Sequence, residues 1–373
     1  MQTEKFSFFN LPREFNREHY KRAIDYILDK YYQINNLASI YNWGDPSAPG
    51  ISDIDLVLVL KDNSRTALPF LKRSFYFLNS KTRYLVRHPF MFIDENSFRD
   101  LRYVYPNTNL KLLFGKELKI KELSENETYY SCISLLNDII VRHYPRDFIE
   151  QQINQRINVR DTMLRLNSLK HSIKTLSHLT KSKYQKWCKK LELIEGLRRN
   201  WFKSNDFELL IGLNKDALDI SLKIIKEFTS FLKNKGIVKI HEGSNVYYNG
   251  IKNKTLFIRN WNKNESLKRM SSLIRRKEKF YSILPIELAA QQFEYCKSNG
   301  LISNYIRRNL SNSIGYDLKH KRIIEERIEV FNNQAKLALE LKHSDFAAFF
   351  DFGYRSTSGI NNMILNLLDK VRF

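Results

Sequence analysis

Residues 41–60 read YNWGDPSAPGISDIDLVLVL, and this stretch decides the fold that we expect. The run DIDLVLVL is typical of a strand buried on both faces. In a strand, residues two apart point to the same face, so Asp53 and Asp55 are expected side by side while Ile54 faces the core. The stretch therefore predicts a pair of carboxylates at the start of a buried strand.

The pair follows a strand, LASIYNW, and a turn-rich loop, GDPSAPGIS. Gly44 and Gly50 stand where a chain must turn closely around phosphates. Two adjacent carboxylates bind a hard cation such as Mg²⁺ (or Mn²⁺), which keeps positions open for phosphate oxygens. The alternative is a solvated strand end with two ordinary acids, but buried strands rarely open with paired, unpartnered carboxylates. The pattern therefore favours a metal or phosphate site.

Gly44, the spacer to Ser52 and the run SDIDLVLVL resemble the polymerase-beta-type nucleotidyltransferase superfamily, which carries a Gly-Ser pair, a spacer and then Asp-x-Asp on the next strand. LKLLFGKEL, residues 110–118, resembles the strand and Gly turn that often end its minimal members. The resemblance covers residues from about 20 to about 120. It implies a metal at Asp53 and Asp55, and a nucleoside triphosphate at the loop residues Gly44, Asp45, Ser47, Gly50 and Ser52. Asp45 replaces the Ser of the family, so Ser47 and Ser52 are alternatives for its role.

The resemblance also implies a third carboxylate on a following strand, a metal ligand that serves many members as the catalytic base. The candidate strand is RHPFMFIDEN, residues 87–96, whose acids lie at its far end. Three alternatives remain: Asp94 is the third acid in a shifted register, His88 takes its place, or the site lacks it. The catalytic and metal-binding set that we expect is Asp53, Asp55 and Asp94.

The chain as a whole predicts an α+β protein. An amphipathic helix over 14–36 carries Tyr20, Ala23, Ile24, Ile27 and Tyr31 on one stripe. A helix over 65–78, a third strand over 83–93, a short helix from Asp94 and a strand ending in a Gly turn at 110–118 complete a small mixed sheet. We expect a nucleotidyltransferase-like domain at 1–123 and a basic, mainly helical domain at 124–373, with a small β-hairpin insert at 237–260.

The second region is dominated by long helical patterns, which predict helices over 127–143, 147–179, 182–202, 262–280, 285–299 and 317–342. The net charge of +22 falls mostly in this region. A surplus of this kind marks a polyanionic partner such as RNA, although compositional bias is an alternative. The predicted nucleic-acid contacts lie on one helix and are Lys268, Arg269, Arg275, Arg276, Lys277 and Lys279.

The expected function is Mg²⁺-dependent transfer of a nucleotidyl group from a nucleoside triphosphate to an acceptor hydroxyl, with RNA, including a tRNA end, as the favoured acceptor. A small molecule, a saccharide and a protein are alternative acceptors. A second hypothesis is a catalytically degenerate protein that binds nucleic acid or a partner. A third is a toxin-like regulator that modifies or cuts tRNA, based on the Arg165 to His171 spacing that resembles helical HEPN ribonucleases.

Two further features concern the location of the protein. The chain has no apolar run long enough for a membrane span. Its first residues, MQTEKFSFFNLPREFNREHY, are more charged than a signal peptide. We therefore expect a cytoplasmic protein.

Overall fold

The computed structural model of the chain describes residues 6–32, 34, 36–44, 46–62, 78–87, 90–143, 145–240, 245–249, 254–277, 282–297 and 314–340. The chain divides into two compact units. The sheet unit comprises Phe15–Ser124 and Glu326–Phe373, and the helical unit comprises Met1–Glu14 and Glu125–Glu325.

The described elements mix helices with short strands, which confirms the predicted α+β class. The strands are β1 (Ser7–Phe9), β2 (Leu37–Trp43), β3 (Asp55–Leu60), β4 (Met91–Asp94), β5 (Leu110–Gly115), β6 (Arg156–Asn158), β7 (Val238–Ile240), β8 (Val246–Asn249), β9 (Lys254–Ile258), β10 (Ser282–Pro285) and β11 (Ile314–Tyr316). The helices are α1 (Arg17–Tyr31), α2 (Ser80–Val86), α3 (Glu95–Arg99), α4 (Leu101–Val104), α5 (Glu125–His143), α6 (Arg146–Asn154), α7 (Val159–Thr180), α8 (Gln185–Ser204), α9 (Phe207–Asn234), α10 (Lys263–Arg275), α11 (Ala289–Lys297) and α12 (Leu318–Glu340).

The sheet unit is built on a four-stranded mixed sheet in the order β4-β3-β2-β5. β3 is antiparallel to β2 and parallel to β4, and β2 is antiparallel to β5. The predicted strand LASIYNW is confirmed at Leu37–Trp43, and the strand of the acid pair is confirmed from Asp55 to Leu60. β3 therefore occupies an interior position, where both of its edges are hydrogen-bonded.

Helix α1 covers one face of this sheet. Asn16 begins the helix with a reciprocal capping box, in which its side chain accepts from the His19 backbone N–H. The helix buries four residues of its predicted stripe, Tyr20, Ala23, Ile27 and Tyr31, against a core that includes Ile40, Leu56, Leu58 and Leu60. The fifth, Ile24, is only partly buried. Alternation along β3 places Val57 and Val59 on the opposite face, where they are also fully buried. The expected burial of β3 on both faces is confirmed.

The predicted third strand is wrong over its first half. Residues Ser80–Val86 form a helix, begun by the Asn79 side chain, which accepts from the Thr82 N–H. Strand β4 starts only at Met91. The apolar run was compatible with either structure, and the Asn cap together with packing of Leu85 and Val86 in the core selects the helix. The predicted helix at 65–78 lies almost entirely outside the described residues.

The helical unit contains α5 to α11 and three small sheets, with one correction to the predicted helices. The helix expected over 147–179 is two helices, α6 and α7, separated by the short strand β6. Gln155 ends α6 in a left-handed conformation, with a φ of 47°, and β6 then pairs in parallel with β1 near the amino terminus. A partner distant in sequence supplies these hydrogen bonds, so helical periodicity alone misses the break.

The predicted hairpin insert at 237–260 is confirmed in β8 and β9, which pair antiparallel. The sheet around it is larger than expected, because β10 adds in parallel to β9. Strand β7 belongs to a separate two-stranded sheet, in which it pairs antiparallel with β11. No helix among the described residues has both the length and the apolar composition for a membrane crossing.

The division of the chain into one domain before residue 124 and another after it stays a prediction. The structure groups the first fourteen residues with the helical unit through the β1–β6 pairing. It also groups residues after Glu326 with the sheet unit, where Leu337 joins the core and Gln334 donates to the Phe92 carbonyl at 3.0 Å. The sheet unit is therefore completed by a segment far from it in sequence.

Candidate functional site

The acid pair lies where the loop after β2 enters β3. Both acids were expected in the strand, but strand β3 begins at Asp55, so Asp53 lies in the last residues of the loop. Between them Ile54 is 2% exposed, and its N–H donates to the Leu85 carbonyl at 2.9 Å. Both acids are partly exposed, with Asp53 at 19% for its side chain. A buried, hydrogen-bonded residue thus fixes the backbone between two solvent-accessible carboxylates.

The loop from Gly44 to Ser52 is a compact turn. Gly44 and Gly50 have φ values of 93° and 83°, a left-handed region that glycine enters without steric cost. The N–H groups of Ile51 and Ser52 both donate to the Ala48 carbonyl, at 3.1 and 2.8 Å. The Ser52 hydroxyl is buried and accepts from the Ala48 N–H at 3.2 Å, so it serves the turn itself. Ser47 is exposed, whereas the predicted Asp45 lies outside the described residues.

Two tyrosine hydroxyls form hydrogen bonds to the backbone of this loop. The Tyr20 hydroxyl donates to the Ser52 carbonyl at 2.6 Å and accepts from the Gly50 N–H at 3.0 Å. The Tyr84 hydroxyl donates to the Gly50 carbonyl at 2.7 Å. Helices α1 and α2 therefore position the loop through two side chains that the sequence did not indicate for this role, since Tyr20 was expected in the stripe of α1 and Tyr84 lay within a predicted strand.

Asp94 does not belong to the site, which corrects the expected third carboxylate. In the parallel pairing of β3 with β4, Asp94 lies level with Leu60. Asp55 is five residues earlier in β3, about 16 Å away along the strand. The Asp94 carboxylate instead caps α3, accepting from the Ser97 N–H at 2.7 Å and the Ser97 hydroxyl at 2.9 Å. His88, the alternative, lies outside the described residues.

A divalent cation at this site would be coordinated by few side chains. Among the described residues, no group of three or more His, Cys, Asp or Glu side chains could hold a metal ion. Asp53 and Asp55 alone still suit Mg²⁺, which proteins often bind through one or two carboxylates and substrate phosphates. The residues present therefore fit an ion that is completed by a nucleotide, and they do not form an all-protein cage.

Arg87 is the neighbour of the acid pair that the sequence did not indicate. Its Nη1 lies 3.9 Å from Asp53 Oδ2, and its side chain is 33% exposed. Arg87 follows α2 with a φ of 65° and a ψ of −38°. Such a conformation costs a non-glycine residue about 1–3 kcal/mol and persists only where the surroundings impose it. The sequence offered no signal for it, since Arg87 stood inside a predicted strand.

A groove of about 620 Å³ adjoins the first glycine of the loop. Its lining residues come from α1, β2, the loop and β5, and are Lys21, Ile24, Asp25, Leu28, Asn42, Gly44, Pro46, Asn109, Lys111 and Leu113. Asn42 lines the groove, and the next residue, Trp43, pairs with Asp55. Because adjacent strand residues face opposite sides, the groove and Asp55 lie on opposite faces of the sheet.

The predicted basic cluster is exposed on α10. Ser266, Met270 and Ile274 form the buried side of this helix. We call the exposed cations here the basic stripe; they are Lys268, Arg269 and Arg275 on the other side of the helix, and Arg276 and Lys277 directly after its last residue. Residues seven apart return to nearly the same side of a helix, so Lys268 aligns with Arg275. Lys279 lies outside the described residues.

The structure does not bring Arg165 and His171 together as the resemblance to HEPN ribonucleases would require. Both residues lie in the continuous helix α7, where six residues correspond to a rotation of about 600°, leaving them about 120° apart around the axis. Arg165 pairs with Asp147 at 2.9 Å. The two side chains therefore do not share one helix face.

The chain was compared with known proteins. No protein-family model and no curated protein matches it. Among solved structures, spectinomycin adenyltransferase AAD(9) from Enterococcus faecialis, with ATP and spectinomycin, is similar at 12% sequence identity and a TM-score of 0.28. The match covers 55% of this chain and 100% of that one. At this level of similarity we base no conclusion on the match.

Proposed function

We propose that this protein transfers a nucleotidyl group from a nucleoside triphosphate to an acceptor hydroxyl. The observation that carries the proposal is the arrangement of Asp53 and Asp55 at the entrance of an interior strand, directly after a tightly fixed glycine loop. The buried Ile54 between them donates its N–H to the Leu85 carbonyl of helix α2, which fixes the backbone at this point. Two carboxylates kept accessible at a rigid position favour a ligand of positive charge.

The two acids would hold Mg²⁺ or Mn²⁺ together with the triphosphate. A bound ion supplies charge neutralisation of the phosphate oxygens in the transition state. The loop contributes Gly44 and the exposed Ser47, whereas Ser52 and Gly50 keep the turn in shape through bonds to Ala48 and Tyr20. The phosphates thus meet a preorganised backbone, which lowers the entropy cost of binding.

In the reaction the acceptor hydroxyl oxygen attacks the α-phosphorus in line. A bond forms between that oxygen and the α-phosphorus, the bond from the α-phosphorus to the bridging oxygen breaks, and pyrophosphate leaves with the electron pair. The hydroxyl proton passes to one of the two carboxylates or to water. Asp94 takes no part, since its carboxylate is engaged with Ser97 about 16 Å away along the strand.

RNA is the acceptor that we favour. The support is the basic stripe, with three exposed cations on α10 and two directly after its last residue, in a chain of net charge +22. Regularly spaced Lys and Arg side chains fit the phosphates of a nucleic-acid backbone. A tRNA end is one RNA acceptor that offers a free terminal hydroxyl. We further propose a cytoplasmic location, where nucleoside triphosphates and RNA are both present.

The reaction is tested by incubating the protein with each labelled nucleoside triphosphate, Mg²⁺ or Mn²⁺ and total RNA. Asp53→Asn and Asp55→Asn are each expected to lower incorporation at least about 100-fold, as when an electrostatic stabiliser of the transition state is removed. Asp94→Asn is the matched control, because Asn also caps helices well and should retain activity. Equal incorporation by all three variants, or none by the wild-type protein, contradicts the proposal.

One observation favours a second candidate function. The acid nearest the end of β4, Asp94, is committed to capping α3, so the acid pair gains no carboxylate from it. This favours a degenerate transferase fold that binds nucleic acid or a partner without turnover. RNA binding by the wild-type protein, unchanged in Asp53→Asn and without incorporation of any nucleotide, supports this candidate over catalysis.

A further inference from the structure

The groove beside Gly44 has the size of a small-molecule site. Its volume of about 620 Å³ lies within the range of about 300–1,000 Å³ that is usual for ligand pockets. Helix α1 forms one wall, where Lys21, Asp25 and two aliphatic side chains lie on one side of the helix at spacings of three and four residues. The sheet forms the other wall, with Asn42 of β2 directly opposite Lys111 of β5. The groove is therefore built by three elements of the sheet unit.

Three charged side chains line this groove. Among the described residues, Lys21 and Lys111 form no ion pair with an acid, and Asp25 forms none with a base. On the same helix, by contrast, Arg22 pairs with Glu18 at 3.3 Å. Lys21 precedes Asp25 by four residues, which is the weaker order for an ion pair within a helix. The two lysines thus leave a surplus of positive charge in the groove, which favours an anionic ligand.

The uncharged part of the lining suits a sugar. Asn42 donates one amide N–H to the Gly44 carbonyl at 2.8 Å, which fixes the amide and leaves its other N–H and its oxygen for a ligand. Asn109 adds a second amide to the lining. Sugar hydroxyls both donate and accept, so they match amides and the Asp25 carboxylate. The aliphatic lining, which suits the carbon atoms of a sugar, is partly buried against the core and comprises Ile24, Leu28 and Leu113.

The number of lysines indicates the charge of the anion. A phosphate ester carries a charge of about −1.5 to −2 near pH 7, whereas a carboxylate carries a single negative charge. A phosphate therefore balances Lys21 and Lys111 together, which a carboxylate cannot do. Lysine binds phosphate as a point charge on a flexible stem, so it needs no bidentate geometry.

We propose that the groove is a binding site for a small phosphorylated sugar. Lys21 and Lys111 hold its phosphate, Asp25 and the two asparagines bind its hydroxyls, and the aliphatic side chains contact its carbon atoms. This site is separate from the one proposed for nucleotidyl transfer, because Asn42 and Asp55 face opposite sides of the sheet. The inference goes beyond the proposed function and does not depend on it.

The test measures equilibrium binding to the full chain by isothermal titration calorimetry. The probes are ribose 5-phosphate and glucose 6-phosphate, with EDTA present so that no divalent ion can bring a phosphate to Asp53 and Asp55. The comparison ligands are the two free sugars, inorganic phosphate and gluconate, which carries a carboxylate in place of the phosphate. At least one sugar phosphate is expected to bind at least about tenfold more tightly than these ligands, since only it uses the whole lining.

Variants of the three charged residues assign the contacts. Lys21→Gln and Lys111→Gln are each expected to weaken sugar phosphate binding about 10- to 100-fold, the range for losing a hydrogen bond to a charged group. Asp25→Ala is expected to weaken the sugar phosphate but to leave inorganic phosphate binding equal or tighter, because a like charge is removed. All three side chains are exposed, so these variants are expected to fold.

Lys81→Gln is the matched control for the lysine variants. Lys81 is an exposed lysine on α2 and lies outside the groove lining. Its replacement lowers the net charge by the same amount and should leave the sugar phosphate affinity within about twofold. The location is checked by NMR with ¹⁵N-labelled asparagine, in which the side-chain signals of Asn42 and Asn109 are expected to shift when the sugar phosphate binds.

Several results would overturn the inference. One is a wild-type protein that binds neither sugar phosphate, and another is unchanged binding in both Lys21→Gln and Lys111→Gln. Equal weakening by Lys81→Gln overturns it too, because overall positive charge would then explain the binding. Gluconate or inorganic phosphate that binds as tightly as the sugar phosphates overturns the assignment to a phosphorylated sugar. The incorporation of labelled nucleotides tests the proposed function separately, so the two can fail independently.

Discussion

At the scale of single residues, Asp94 has a structural role that can be measured. Its carboxylate caps α3, so Asp94→Ala is expected to lower the free energy of unfolding by about 1 kcal/mol, whereas Asp94→Asn should be nearly neutral. Urea denaturation of the three proteins checks this. A loss of Mn²⁺ binding in Asp94→Asn at unchanged stability would instead return Asp94 to the metal site.

Tyr20 is a second residue whose contribution to the free energy of unfolding can be measured. It is 3% exposed and joins α1 to the loop through the Gly50 N–H and the Ser52 carbonyl. Tyr20→Phe leaves these two backbone groups without that partner, and we expect the free energy of unfolding to fall by about 1–3 kcal/mol. Tyr84→Phe is the control, since it removes one bond at a part-buried position and should cost less. Equal stability of Tyr20→Phe and the wild type would show that the hydroxyl does not hold the loop.

At the scale of secondary-structure elements, the junction of β5 with β2 has no room for a side chain at Gly115. Gly115 has a φ of 85°, and a Cβ there would lie 2.1 Å from the Ala38 carbonyl oxygen. Gly115→Ala therefore has to move backbone, and we expect a loss of more than about 3 kcal/mol in unfolding free energy.

Gly44→Ala is the matched control for Gly115→Ala. Gly44 has a similar φ of 93°, but a Cβ there meets nothing within 4 Å. Only the conformational penalty of about 1–2 kcal/mol remains. The comparison of the two variants by thermal and urea unfolding isolates the steric contribution, and equal losses would contradict it.

At the scale of the whole molecule, the charge surplus predicts salt-dependent RNA binding through the basic stripe. Replacement of four of its residues by Gln, at Lys268, Arg269, Arg275 and Arg276, is expected to reduce the slope of log K against log salt concentration by up to about 3 for single-stranded RNA. Affinity should fall similarly for unrelated RNA sequences, because phosphate contacts carry no sequence information. Fluorescence anisotropy at several salt concentrations measures both.

The control for the basic-stripe variant is a second variant that has the same net charge. Four exposed lysines near the start of α8 serve for it, namely Lys181, Lys183, Lys186 and Lys189. Their replacement by Gln lowers the net charge by the same amount but leaves α10 intact. The same loss of RNA affinity in both variants would show that overall charge, and not the basic stripe, attracts RNA.

The sequence by itself determined the local features of this protein. The α+β class, α1 with its buried stripe, β2, the core of β3 and the exposed basic side of α10 were predictable, because period, capping and charge pattern are written in neighbouring residues. The acid pair and the glycine loop between two strands were predictable for the same reason. What the pair does stays a prediction.

Only the tertiary structure decided which residues meet at the site. The pairing of β3 with β4 moved Asp94 away from the acid pair, the contacts of α2 brought Arg87 to it, and the pairing of β1 with β6 divided a predicted helix. The physical reason is shared by all three. Strand register and the direction of a helix end depend on contacts between segments distant in the chain, and local propensity is too weak to fix them.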